Sequence, residues 1–170
     1  MSTHIESRIV PWRGVVLDIH TAPTGGAPMV ATGEVNAVAG RGIEGDRYYE
    51  ETGFYSWFTG PIRHISLIER EVLDALRDFH NLLLEPGITR RNIVTRGVPL
   101  GHLLNREFRV GEATLRGVEI CEPCKHLVDL TGNRDLLSAL IHRGGLHAEI
   151  VRSGTIRSGD TIEEIGPRGT

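Results

Sequence analysis

The alternation of hydrophobic and polar residues divides the chain into short extended segments. Residues 14–20 and 30–38 are predicted as the first two strands, because a turn with Gly25-Gly26 separates them. The later strand predictions are 62–67, 92–95, 108–111, 113–120, 146–151 and 161–165. Seven or eight short strands separated by turns are typical of a sandwich or a barrel.

One segment changes to a helical period. Val72, Leu73, Leu76 and Phe79 recur at helical spacing among charged residues, which predicts a helix near residues 69–80. A second helix is predicted across residues 135–142, before Gly144-Gly145. A Rossmann or thioredoxin-like sheet would need a crossover helix for each parallel strand. The pattern therefore predicts a mainly β fold, an antiparallel-rich β-barrel with a few peripheral helices.

Three segments lack either period. Residues 39–47 contain Gly40, Gly42 and Gly45, and this density of glycine predicts a shaped loop rather than a helix or strand. Residues 48–60 are predicted to form a long connection, for which a lid over a pocket is one interpretation. Residues 153–160 are predicted as the turn between the last two strands.

Size and composition fit one domain over residues 1–170. Hydrophobic residues make up 39% and charged residues 24% of the chain, as in ordinary globular proteins. The sequence has no apolar run of the roughly 18 residues that a membrane helix needs. The first residues resemble neither a signal peptide nor a transit peptide. These features predict a cytoplasmic protein without a membrane partner.

Charge argues against nucleic acid as the main partner. The chain has 19 Lys and Arg against 22 Asp and Glu, a net charge of −3, whereas nucleic-acid binding relies on clustered positive charge. Nearly all the basic residues are arginines, whose guanidinium groups suit bidentate binding of phosphate or carboxylate. Local anion sites for a small molecule therefore remain open.

Cys121 and Cys124 are the only cysteines, and their C-x-x-C spacing allows several interpretations. A zinc site would have to recruit ligands from His126, His142 and His147, which match no standard spacing. A redox pair agrees with a cysteine just before a possible helix, but not with the predicted fold. Two small buried core residues are the third interpretation. The residues alone do not choose among these.

Several short motifs occur in an order that resembles the MOSC family, the domain shared by molybdenum cofactor sulfurases and the mitochondrial amidoxime-reducing component. The resemblance covers almost the whole chain. Its motifs are Val15-Val16-Leu17, Gly42 to Arg47, Arg63 ahead of Ile65 to Glu69, Arg91-Asn92-Ile93 followed by Gly97, Val110 to Ala113, Glu122-Pro123-Cys124, Gly144-Gly145 and Gly154 to Asp160. The fold that the resemblance implies is a MOSC-type, pyruvate-kinase-barrel-like β-barrel.

The resemblance also implies a site. Cys124 would ligate the molybdenum of a molybdopterin cofactor or carry a persulfide, since a thiolate is a soft ligand. Cys121 is not required by the family pattern. The implied cofactor-binding residues are Arg90, Arg91, Asn92, Glu44, Asp46, Arg47, Arg63 and Lys125. The family's general description adds pyridoxal phosphate binding. Tyr48 departs from the histidine that many family members have there, so this position predicts little.

Three functions agree with this resemblance. The first is a molybdoenzyme of the small bacterial stand-alone type that reduces N-hydroxylated substrates with electrons from an external reductase. The second is a sulfur carrier that is loaded by a sulfur donor protein. The third is a non-catalytic module for cofactor delivery or partner binding. A cofactor bound without a covalent anchor can be lost on purification, so its retention is not predicted.

Overall fold

The computed structural model describes residues 11–58, 60–85 and 87–166. Three α-helices and two short 3-10 helices, Pro61–Arg63 and Leu100–Leu103, accompany the strands in these residues. The strands are β1 (Arg13–Thr21), β2 (Val30–Thr32), β3 (Glu34–Val38), β4 (Gly42–Ile43), β5 (Ile65–Glu69), β6 (Ile93–Arg96), β7 (Glu107–Val110), β8 (Ala113–Ile120), β9 (Leu146–Arg152), β10 (Gly154–Arg157) and β11 (Thr161–Glu164). The helices are α1 (Arg70–His80), α2 (Lys125–Thr131) and α3 (Asp135–Leu140).

Seven of these strands form a closed barrel in the order β11-β7-β8-β9-β5-β6-β1. Pairing of β1 with β11, which sets Gly14 opposite Ile162, closes it. All barrel pairs are antiparallel except β5 with β6, and α1 lies in the crossover that this parallel pair requires. The prediction of a mainly β barrel with few helices is confirmed.

A second sheet, in the order β10-β3-β4, lies outside the sequence prediction. The predicted strand 30–38 is two strands, because the chain leaves the barrel sheet at Gly33. The predicted loop 39–47 contains β4, and the predicted turn 153–160 contains β10, so both predictions were incomplete. β10 pairs with β3 through Thr155 and Asn36, residues far apart in sequence. Val35, Ala37 and Ile156 are buried on this sheet, but the alternation within one segment does not indicate which distant segment it pairs with.

The helices pack on the outside of the barrel. Alternate residues of β8 and β9 are buried and fill the barrel interior together with Phe108, which is fully buried. A second apolar cluster joins the helices to the barrel wall: Ile68, Leu76, Val94, Leu127, Leu136 and Leu140. Through Leu127 this cluster fixes the position of α2 against the barrel. It thereby also positions Cys124, which directly precedes α2.

The element boundaries differ in detail from the prediction. The predicted helix near 69–80 is confirmed as α1, although Phe79 is 82% exposed and lies outside the packed face. The predicted helix 135–142 ends as α3 at Leu140, and α2 precedes it. The predicted strand 62–67 begins only at Ile65, after a 3-10 turn. In the described part of the chain no helix has the length and apolarity to cross a membrane. The single domain over 1–170 stays a prediction.

Candidate functional site

A cavity of about 400 Å³ opens where β8 ends and where β5, β6 and β9 begin. Six of the residues named from the sequence line it: Arg47, Arg63, Arg90, Arg91, Asn92 and Cys124. They come from four separate parts of the chain, which the closure of the barrel brings together. Volumes of roughly 300 to 1,000 Å³ are usual for small-molecule sites.

Cys124 is the residue immediately before α2, and it is partly exposed. The turn that carries it is tied to the end of α3, because the Glu122 carboxylate accepts the backbone N–H of His142 at 2.9 Å. The Tyr55 hydroxyl donates a hydrogen bond to Cys124 Sγ at 3.4 Å. Burial and the neighbouring Cys124 raise the pKa of Tyr55 to about 12, so this phenol keeps its proton at neutral pH.

Cys121 also lines the cavity, but unlike Cys124 it is buried. Its buried Sγ lies 3.0 Å from His147 Nε2. Burial raises the pKa of the Cys121 thiol. Burial, followed by the charges of Arg91 and Arg63, lowers the pKa of His147 to about 3. Both groups are therefore neutral at pH 7, and Cys121 is held as a thiol rather than a reactive thiolate.

In three of the cavity arginines, most guanidinium nitrogens already form hydrogen bonds or salt bridges within the protein. The buried Arg91 donates to the carbonyl oxygens of Gly144 at 2.8 Å and Thr89 at 2.9 Å. Arg90 has a left-handed backbone with φ of 61° and binds the carbonyl oxygens of residues 25 and 27. Arg47 pairs with Asp46 at 3.0 Å and donates to the carbonyl of Arg90. These arginines hold the cavity walls in place and leave few donors free.

Arg63 differs from them. Within the described residues its guanidinium has no hydrogen-bond acceptor, and its Nε is buried without a partner. The group lies against aromatic rings instead, 4.9 Å from the centroid of Tyr55 and 5.4 Å from that of Tyr48. Cation–π contacts of this kind orient a guanidinium without consuming its N–H donors. Arg63 therefore has the most unused capacity to bind an anion.

Asn92 and Asp46 form a buried network beneath the cavity. The Asn92 side chain accepts the backbone N–H of Ser66 at 3.1 Å and donates to the carbonyl of His20 and to Asp46. Asp46 also accepts the backbone N–H of Ala22 at 3.1 Å, and it is not part of the cavity lining. Both side chains join strands and loops, so their polar groups are already satisfied.

The structure does not bring Glu44 and Lys125 to this cavity. Glu44 accepts a hydrogen bond from Asn36 and lines a separate surface depression beside β3. Lys125 is 86% exposed and donates to Asp129 one helical turn away. The zinc interpretation of the cysteines gains no support either, because no cluster of three or more His, Cys, Asp or Glu able to hold a metal occurs in residues 11–58, 60–85 and 87–166.

Sequence reasoning missed Tyr55 and His147 as cavity residues. Tyr55 belongs to the segment predicted as a connection or lid, and that segment packs on α2 through Phe54, whose ring stacks on His126 at 4.0 Å. His147 reaches the cavity because β9 pairs with β8, which sets it opposite Glu119. The aromatic density of residues 48–58 was a usable signal for Tyr55. The sequence indicated His147 only as a possible zinc ligand, because its place on the cavity wall depends on the pairing of β8 with β9.

Comparisons with known proteins identify the family and the fold. A family model described as the MOSC domain matches residues 55–163. The structure of the YuaD protein from Bacillus subtilis aligns with a TM-score of 0.73 at 19% identity, over 89% of this chain and 97% of that one. YiiM from Escherichia coli aligns with a TM-score of 0.65 at 23% identity, over 94% and 73% of the two chains.

YiiM from Geobacillus stearothermophilus aligns with a TM-score of 0.69 at 15% identity, over 92% of this chain and 77% of that one. At these identities the structural likeness establishes the fold. No curated protein sequence matches the chain. The matched segment 55–163 is well over half of the 170 residues and includes the 3-10 turn of Arg63, strands β5 to β10 and Cys124, so this chain belongs to the MOSC domain family.

Proposed function

We propose that the cavity binds a molybdenum cofactor and that Cys124 supplies the sulfur ligand to molybdenum. The MOSC family is commonly associated with this cofactor. The observation that carries the proposal is the position of Cys124, a partly exposed thiol on the wall of a cavity lined by four arginines. A thiolate is a soft ligand suited to such a metal, and arginine suits the phosphate of a pterin cofactor.

The chemistry of the residues present fits this group. Arg63 Nε and His147 Nδ1 are buried and have no hydrogen-bond partner within the described chain, which is costly unless a ligand supplies one. Arg63, with its unused donors, is the proposed anchor for the phosphate. Arg90 and Arg91 would contribute positive charge rather than direct hydrogen bonds, because protein carbonyls already occupy several of their donors.

The charge of the cavity supports an anionic ligand. Neither Arg63, Arg90 nor Arg91 forms a salt bridge with a described carboxylate. Glu122, which also lines the cavity, is engaged by His142. An excess of fixed positive charge in a concave, partly dehydrated site attracts anions and raises their local concentration.

The bound cofactor would supply two-electron oxidation and reduction, and the chain's residues would supply position and charge. Cys124 would hold the metal end and Arg63 the phosphate end. Tyr55 stays protonated and donates to the sulfur. We propose N-hydroxylated compounds as substrates and a separate reductase as electron donor, since two cysteines are fewer than the roughly four that an iron–sulfur cluster uses.

A sulfur carrier is the second candidate. Cys124 is accessible and has a hydrogen-bond donor beside it, which suits a persulfide, whereas the buried neutral Cys121 is poorly placed to discharge it. In this case a sulfur donor protein would load Cys124, and no organic substrate would be turned over.

Measuring molybdenum and sulfur on matched variants tests both candidates. The protein would be produced in a host that makes the cofactor, and metal per polypeptide would be measured by mass spectrometry. We expect Cys124→Ser to lose the molybdenum and Cys121→Ser to keep most of it, because a hydroxyl is a hard and poorly ionised donor. A mass increase of one sulfur atom on Cys124, without metal, would favour the carrier. Equal loss in the two variants would contradict both.

A further inference from the structure

Tyr55 forms a hydrogen bond with Cys124, the proposed ligand of molybdenum. Its hydroxyl lies 3.4 Å from Cys124 Sγ, and within the described residues this is the sulfur's only hydrogen bond. A phenol donates well to a sulfur that carries negative charge, and hydrogen bonds to a charged partner are stronger than those between neutral groups. The contact is therefore worth more to a thiolate, a persulfide or a metal-bound sulfur than to a neutral thiol.

The tyrosine ring is held from several sides. The ring of Phe54 meets it edge-on at 4.8 Å, and the guanidinium of Arg63 lies 4.9 Å from its centroid. The His126 ring lies 6.0 Å from the Tyr55 ring, measured between centroids. Because His126 also stacks on Phe54, this part of the chain is fixed to α2, the helix that directly follows Cys124. Because the ring is already ordered, little conformational entropy is lost when the hydroxyl binds the sulfur.

The chain offers a matched comparison. Tyr49 lies in the same connecting segment, and its ring carries the guanidinium of Arg41 at 3.8 Å, outside the cavity of Cys124. Within residues 11–58, 60–85 and 87–166 its hydroxyl forms no hydrogen bond with either sulfur. Tyr49→Phe therefore removes the same atom as Tyr55→Phe without touching the site.

We infer that Tyr55 is a positioning residue for Cys124: its hydroxyl orients the sulfur toward the cavity and withdraws electron density from it. This inference rests on the proposed role of Cys124 as the molybdenum ligand. Hydrogen bonds from neighbouring groups tune a metal through its ligand, and a donor on a thiolate weakens the donation of charge to the metal. The bond would therefore favour the reduced metal and raise its reduction potential.

The first test needs no cofactor. A double-mutant cycle with Tyr55→Phe and Cys124→Ala measures the coupling of hydroxyl and sulfur in the apoprotein by chemical unfolding. We expect Tyr55→Phe to raise the unfolding equilibrium constant by about three- to tenfold when Cys124 is present, and much less in the Cys124→Ala background. Tyr49→Phe should show no coupling to Cys124→Ala. Equal effects of Tyr55→Phe in both backgrounds would overturn the inference.

The second test uses the molybdenum-loaded protein. We expect Tyr55→Phe to keep metal and to titrate, in an electron paramagnetic resonance measurement, at a lower potential than the wild type, while Tyr49→Phe titrates as the wild type does. An unchanged potential in Tyr55→Phe would overturn the electronic role. A wild-type protein that binds no molybdenum even when isolated cofactor is added would instead refute the proposed metal-ligand role of Cys124, and the apoprotein cycle would then decide alone whether Tyr55 positions this sulfur.

Discussion

His147 makes the stability of this protein depend on pH in a way that can be calculated. Its pKa is lowered from 6.5 to about 3, first by burial and then by Arg91, Arg63 and Arg47. The folded protein therefore keeps His147 neutral at pH values where the unfolded chain binds a proton. Above pH 6.5 His147 is neutral in both the folded and the unfolded state, so it has no effect on the pH dependence of stability. As the pH falls below 6.5, the unfolded chain binds a proton that the folded protein does not, and the free energy of unfolding decreases.

The size of the effect follows from the two pKa values. Between the two pKa values the unfolded state binds one more proton, so the free energy of unfolding falls by about 1.4 kcal/mol for each pH unit below the unfolded pKa. At pH 5, roughly 1.5 units below 6.5, His147 is expected to remove about 2 kcal/mol from the free energy of unfolding. Burial also lowers the pKa values of His20 and His64, so the wild type will lose more than this in total.

His147→Gln isolates the contribution of one residue, since His20 and His64 remain. The free energy of unfolding would be measured by urea titration at pH 8 and pH 5. We expect the loss between these values to be about 2 kcal/mol smaller in His147→Gln than in the wild type. His102→Gln, at an exposed position, is the control and should follow the wild type. An identical pH dependence in His147→Gln and wild type would refute the reasoning, whatever the stability of the variant at pH 8.

Three further predictions concern cofactor binding and stability. Arg63→Ala should lose most of the bound molybdenum while destabilising the apoprotein by only about 1 kcal/mol, because within the described chain its guanidinium makes cation–π contacts but no hydrogen bond or salt bridge. Arg91→Ala should cost about 2 to 3 kcal/mol, because it leaves buried carbonyls without donors, and similar stability of the two apoproteins would contradict this division of roles. Gly145→Ala should cost about 3 kcal/mol or more, since φ is +107° and the new Cβ would lie 2.0 Å from the Leu67 carbonyl oxygen, whereas Gly26→Ala meets nothing within 4 Å. Urea titrations that give the two glycine variants equal stability would refute this reading of the Gly145 backbone.

The sequence by itself determined the elements whose period lies within their own residues. The apolar spacing of Val72, Leu73 and Leu76 was sufficient for α1, and the alternation in 113–120 and 146–151 was sufficient for β8 and β9. The ordered motifs, from Val15-Val16-Leu17 to Gly154–Asp160 with Cys124 among them, also led to the family and to its barrel. These signals are local or lie in fixed order along the chain, so they can be read without knowing which segments meet.

Tertiary structure alone decided which side chains form the site and which are already engaged. Arg63 and Arg91 are both cofactor-binding candidates in the sequence, yet Arg91 binds carbonyls of residues 89 and 144 while Arg63 has no such partner in the described chain. Tyr55 likewise reaches Cys124 across 69 positions of sequence. A hydrogen bond depends on distances of about 3 Å that exist only after the barrel has closed, and no periodicity of the chain encodes them.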